Sequence, residues 1–198
     1  MFRAAVIMVL LASAAALAEA PQVITEKGKD HFETVFSPGG RLQLEVRSGD
    51  VRISGTDRDR LSVRYEGPKG GETDEVEVRF QRTGAGGSVK ISGGPRNNFH
   101  ILIEVPRETE LHVRMPFGAL EIERVLGSKD VEVHAGQLTI DVGDPKDYAL
   151  IDSSVTTGAL NSGPLGISKG GLFRSFKKEG PGKYRLYAHV GSGEIDLR

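Results

Sequence analysis

Two stretches of this chain gather enough charged side chains to do chemistry. Asp141, Asp144, Asp147 and Asp152 form the densest acidic run. Carboxylates so spaced could supply some of the roughly six to eight oxygens that Ca²⁺ takes. Asp144-Pro145 is also ordinary turn chemistry, in which a short carboxylate accepts from nearby backbone, and the G-G-x-G-x-D phrase of calcium-binding β-rolls is absent. The second stretch, KGGLFRSFKKEGPGKYR, holds Lys169, Arg174, Lys177, Lys178, Lys183 and Arg185, interrupted by Phe173 and Phe176. As a candidate polyanion-binding surface it would take an acidic polysaccharide or a lipid head group. As a purely structural segment it is a long solvated loop whose two Phe cover the end of the fold. With no Trp and four Tyr, a platform for stacking sugars is not obvious.

Other chemistries fail on residue type or spacing. His31, His100, His112, His134 and His189 never fall within one helical turn of each other, so no H-E-x-x-H zinc helix exists. His100 and His112 lie among alternating apolar residues and are expected at exposed strand positions. VGSGE and LNSGP do not fit the G-x-S-x-G nucleophile elbow, and GPGKYR lacks the first Gly and the hydroxyl of a phosphate-binding loop. There is no Cys, hence no thiol nucleophile and no disulfide. No catalytic, cofactor-binding or metal-binding residues are expected. Paired carboxylates for glycoside cleavage stay open, because the distance between carboxyls is not legible in a sequence.

The elements that would position such residues are strands. The chain opens with Met1-Phe2-Arg3 and the apolar run AAVIMVLLASAAALA, which is too short to span a bilayer as a helix and ends in an A-x-A cleavage pattern at Ala16-Leu17-Ala18. Residues 1–18 therefore read as a signal peptide, leaving 198 − 18 = 180 residues, and residues 19–34 as a flexible N-terminal segment. Loss of Arg3 moves the net charge from −1 to −2, which speaks against a nucleic-acid partner. No second apolar run of membrane length follows. Period-2 alternation then runs almost throughout: RLQLEV, DVRISG, RLSVRYEG, EVEVRF, SVKISG, ILIEV and ELHVRM. QRTGAGG predicts a hairpin, and Pro106 and Pro116 are expected to mark strand ends.

From Gly118 a short phrase recurs: Gly118-Ala119-Leu120-Glu121-Ile122, Lys129-Asp130-Val131-Glu132-Val133 and Gly136-Gln137-Leu138-Thr139-Ile140. Gly158-Ala159-Leu160 is a degraded copy, Gly193-Glu194-Ile195-Asp196-Leu197 closes the chain, and Gly49-Asp50-Val51-Arg52-Ile53 is an earlier relative. Such spacing predicts an all-β chain, with antiparallel strands over about 35–117 and a β-helix or solenoid-like coil over about 118–198, the alternative being a β-sandwich. Leu120, Val131 and Leu138 should point inward and stack. The C-terminal YRLYAHVGSGEIDLR reads as a last strand pair at the terminal edge, with Glu194, Asp196 and Arg198 guarding that edge.

ILIEVPRETELHVRMPFGALEIERVLGSKDVEVHAGQLTIDV and the terminal HVGSGEIDL resemble the bacterial putative-adhesin domain family, with its exported N-terminus and repeated Gly-Asp-Ile/Val phrases. Ala119 and Gln137 depart from that phrase. The resemblance covers roughly residues 35–198 and implies a single adhesin-like β domain at the cell envelope, with no catalytic set and no cofactor. Together these features predict an exported, non-enzymatic β-repeat protein, periplasmic or at the surface, in contact with an envelope polymer or a surface protein. The alternatives are a polysaccharide-active enzyme on a β-helix scaffold, which a cluster of surface carboxylates on one sheet face would favour, and an assembly subunit, which an exposed apolar edge strand would favour.

Overall fold

In the long C-terminal strands the buried positions change parity halfway along. The computed structural model describes residues 23–68, 73–95 and 97–198; the expected leader lies outside them. In β9 (Glu110–Glu123) Leu111, Val113 and Met115 are buried, then Leu120 and Ile122. In β10 (Lys129–Ile140) Lys129, Val131 and Val133 are followed by Leu138 and Ile140. In β13 (Tyr184–Leu197) Leu186, Ala188 and Val190 are followed by Ile195 and Leu197. Within each half the step is two residues, as strand geometry requires, but across the middle it is odd. A flat strand would send the second half's apolar residues to solvent. Each strand instead redirects its face at Gly118, Gly136 and Gly193, whose φ angles of 129°, 146° and 140° are open to Gly.

These glycines form a ladder. Gly49 pairs with Gly118, Gly118 with Gly136, Gly136 with Gly193, and Gly193 with Gly158. The repeated phrase is thus one residue column after another: Val51, Leu120, Leu138, Ile195 and Leu160 lie side by side and all are buried. The Lys129-Asp130-Val131 phrase belongs elsewhere. It pairs with Leu111-His112-Val113, ahead of the ladder, so Val131 stacks on Val113 and not on Leu120.

The remaining strands are β1 (Val23–Lys27), β2 (His31–Val35), β3 (Arg41–Val46), β4 (Ser48–Thr56), β5 (Arg60–Glu66), β6 (Glu77–Thr83), β7 (Gly86–Ser92), β8 (His100–Pro106), β11 (Tyr148–Ser162) and β12 (Ile167–Glu179). All thirteen strands of the described residues hydrogen-bond into one sheet. The arms before the ladder run β1-β6-β7-β3-β9-β10-β13-β11-β12. The arms after it continue β9 through β4, β8 and β5 to β2. Buried residues of both arms form a single cluster, so the sheet folds over its own apolar face.

Several expectations change. The segment 19–34 supplies β1 and part of β2, paired with β6 and β5; Phe32, which is buried, gives it an anchor. The division at residue 118 does not hold as a change of pairing, because β3 and β4 already run parallel to β9. Pro106 ends β8, but Pro116 sits inside β9. Its missing N–H costs no ladder bond, since register passes from Met115–Val133 to Phe117–Ala135 and skips it. The hairpin at Gly84-Ala85 forms as expected, with Gly84 at φ 58°. Stacking departs from chain order at the C-terminus: β13 is no edge but lies parallel between β10 and β11. The terminal edge is β12, antiparallel to β11.

Candidate functional site

The outer face of the post-ladder arms carries a cleft of about 640 Å³. Alternation puts Asp50 and Arg52 of β4, Arg64 and Glu66 of β5, His100 and Leu102 of β8, and Glu121 of β9 on this face. The rows are set by register: Asp50 lies beside His100 and Ala119, and Arg52 beside Leu102 and Glu121. Arg52 grips Glu121, with Nη2 at 2.7 Å and Nε at 2.9 Å from the same oxygen. Asp50 is 3.4 Å from His100, and Arg64 reaches Glu104 at 4.0 Å. At the far side Arg198 donates to Asp196 at 2.8 Å. Ala119, one of the departures from the repeated phrase, stands between Asp50 and Gln137. Its short side chain leaves the floor of the groove open.

Three or more carboxylates do gather on this face, the feature expected to favour an enzyme. Those of Glu104 and Glu121 are each engaged with an arginine across the strands, and that of Asp50 lies beside the His100 ring. Such pairs fix side-chain positions in a mixed-sign surface. A second cleft, about 290 Å³, adjoins the first through Asp50 and is lined by Ser48, Asn97, Asn98 and Phe117.

The opposite outer face, on the pre-ladder arms, holds a polar network. Asp130 accepts from Arg114 at 2.9 Å and lies 3.1 Å from His112. Partial burial disfavours its charge, yet the hydrogen bond and charge of Arg114, with those of His112, hold the Asp130 carboxyl below the usual carboxylate range. Glu132, His189 and Ser154 are in register there, and Ser154 Oγ lies 2.9 Å from His189 Nδ1. Glu132 turns instead to Arg114 at 3.4 Å, so the row lacks the base–carboxylate contact of a hydrolytic triad. Both His100 and His112 are on outer faces, paired with acids, as the alternation predicted.

The six basic residues of the second charged stretch do not form one patch. Lys169, Arg174 and Lys178 pair with the buried Leu160, Val155 and Ile151 of β11, so they project on the core side of the last strand. Lys169 and Arg174 donate to the carbonyls of Ser175 and Gly170, at 2.9 Å and 2.7 Å. Inward-pointing charge of this kind blunts an edge strand against pairing with another chain. Lys177 lies opposite Asp152 on the outer side. Lys183 stands 4.8 Å over the Tyr184 ring, and Arg185 lines a separate cleft with His112 and Asp130. Phe176 packs on the core, whereas Phe173 is 79% exposed. In the acidic run, Asp141 accepts from Gly143 N and Asp144 from Lys146 N, both at 2.9 Å, which is turn chemistry. Among the described residues no three His, Cys, Asp or Glu side chains converge as a metal site.

Sequence reading missed Lys129. It takes a core position between Leu111 and Leu186 and is only 1% exposed. Its ammonium donates to Gly127 O at 3.1 Å and Tyr148 Oη at 2.8 Å. Burial pushes its pKa down to about 8, opposed by the charge of Asp141. Burial also raises the Tyr148 hydroxyl, with Asp141 and Asp147 adding to the effect. A lysine with a lowered folded pKa is charged in both states below pH ~8, where its desolvation cost is fully present. Between about 8 and 10.5 the folded protein sheds the proton and the unfolded chain keeps it, so stability rises with pH by about 3 kcal/mol. Urea melts of the wild type and Lys129→Met at pH 7 and pH 10 should show this rise in the wild type alone; parallel pH profiles would contradict it.

Two of the solved structures to which the chain is similar can be named. One is described as a "putative cell adhesion protein" from Clostridium sporogenes ATCC 15579, at 14% identity over 90% of this chain and 99% of that one, with a TM-score of 0.52. The other is described as a "putative adhesin" from Parabacteroides merdae ATCC 43184, at 9% identity over 89% of this chain and 77% of that one, with a TM-score of 0.25. The first likeness shows a shared fold; the second carries no argument. No family model and no curated protein matches the chain.

Proposed function

We propose that this chain is an exported, non-enzymatic, adhesin-like protein of the bacterial cell envelope that holds an envelope polymer or surface protein on the outer face of its post-ladder arms. The observation that carries this reading is the groove itself: about 640 Å³ across the parallel and antiparallel strands β5, β8, β4, β9 and β10. Its carboxylates are tied to Arg52, Arg64 and His100. Side chains fixed by cross-strand pairs form a preorganised recognition surface, which lowers the ordering cost of binding. The signal peptide, with cleavage after Ala18, belongs to the same reading. So does the finer description of the fold, in which each two-armed strand is one turn of a glycine-cornered coil. The shared fold with a protein described as a cell adhesion protein supports the assignment. The basic residues Lys169, Arg174 and Lys178 act, on this reading, as the guard of the β12 edge, and polyanion binding there is secondary.

Residues 19–198 should co-sediment with purified envelope material from the source cells. The double variant Arg52→Glu, Arg64→Glu should lose at least about tenfold in affinity while melting like the wild type, since exposed charges contribute little to stability. Equal sedimentation of the two proteins, or none by either, would count against the proposed face.

A further inference from the structure

Phe117 is conspicuous in its column. Its in-register neighbours are Ser48 on β4 and Ala135 on β10, followed by Ser192 and Thr157. Side chains this short leave its ring unshaded, and it is 57% exposed. His134 braces the ring, with centroids 6.2 Å apart and planes at 86°. The ring walls the cleft of about 290 Å³ whose other side chains include Ser48, Asp50, Asn97 and Asn98. That volume is just below the roughly 300–1,000 Å³ of clefts for drug-sized ligands, which suits a one-ring ligand.

The polar rim of this cleft is held in place. Phe99, buried and packed edge-on to Tyr65 at 6.0 Å, anchors the loop that carries both Asn residues. Its carbonyl accepts from Asp50 N at 2.8 Å and lies so near Gly49 that a Cβ there would meet it at 2.8 Å. Asn98 takes φ 51°, a conformation Asn adopts readily. The cleft therefore combines one aromatic wall with a hydroxyl, a carboxylate and two amides, which between them donate and accept. A pyranose has the complementary surface: a C–H face that packs on the electron-rich face of an aromatic ring, and a rim of hydroxyls that both donate and accept. Asp50, the cleft's carboxylate, disfavours an anionic sugar.

We propose that the Phe117 cleft binds one pyranose unit of an uncharged polysaccharide. The sugar stacks on Phe117 and hydrogen-bonds Asp50, Asn97 and Asn98, and the glycan chain continues past Asp50 into the larger groove. This rests on the reading of the post-ladder face as the binding face. The test titrates residues 19–198 with cellohexaose, maltohexaose, mannohexaose and chitohexaose, each to about 10 mM, following chemical shifts and heat. At least one should saturate. Phe117→Ala and Asn97→Ala should each weaken it about tenfold or more, Phe117→Tyr should retain it, and Phe173→Ala should leave it unchanged. Binding of none of the four, or wild-type binding by both Phe117→Ala and Asn97→Ala, overturns the proposal. Co-sedimentation with envelope material without oligosaccharide binding would overturn the saccharide site and leave the adhesin-like reading standing; loss of both would remove both.

Discussion

Gly136→Ala is expected to prevent folding, or to cost more than about 4 kcal/mol, because two penalties fall on one residue. Its φ of 146° lies where side chains strain the backbone. A Cβ would also overlap the carbonyl oxygen of Gly118 on the adjacent strand. That oxygen is backbone held in the sheet, so it cannot swing aside. Gly193→Ala meets the Gly136 carbonyl in the same way. Gly143→Ala separates the two penalties: at φ 59° with open space around it, it should cost only the conformational strain, about 1–2 kcal/mol. Gly163→Ala, exposed and unobstructed, should stay within about 0.5 kcal/mol. Urea melts of the four variants would rank them. Equal costs at Gly136 and Gly143 would mean that close packing along the ladder is not what demands glycine.

Removing residues 193–198 should leave no folded protein. The sequence suggested a terminal edge there, whose loss would expose the preceding strands and lower solubility. In the structure these residues are the post-ladder arm of a central strand, bonded to β10 on one side and β11 on the other. Truncation would delete the buried Ile195 and Leu197 and strip Leu138, Ile140 and Leu160 of a neighbour. Each core side chain lost costs about 2–5 kcal/mol, against a total stability of roughly 5–15 kcal/mol for a domain. Circular dichroism of the truncated chain should show no cooperative melt. A cooperative transition near the wild-type temperature would show that the C-terminal arm is dispensable.

The strands and their inward faces were legible because alternation has a period, and burial of one face leaves that period in the sequence. Leu120, Val131 and Leu138 were placed inward on that basis, and the structure buries all three. The position of β13 was not legible. A central strand and an edge strand of a one-sided sheet show the same alternation, so Glu194 and Asp196 face outward in either case. Lys129 escaped for the opposite reason: it occupies an apolar position, and its partner Tyr148 Oη is supplied by another strand. The basic stretch looked like one patch because its residues are close along the chain. Strand geometry then sends Lys177 and Lys178 to opposite sides of β12. The groove was invisible for the same reason. Asp50, Arg64, His100 and Glu121 are far apart in sequence and meet only through register.

Hydroxyl-radical footprinting of residues 19–198, with and without bound envelope material, tests the central claim most directly, because it reads side-chain exposure on each face of one molecule. Binding on the post-ladder face predicts protection of Phe117, His100 and Leu102, with Leu172 and Phe173 on β12 and Tyr187 on the pre-ladder face oxidised as in the free protein. Protection of Leu172 and Phe173 or of Tyr187, with Phe117, His100 and Leu102 unchanged, would contradict it.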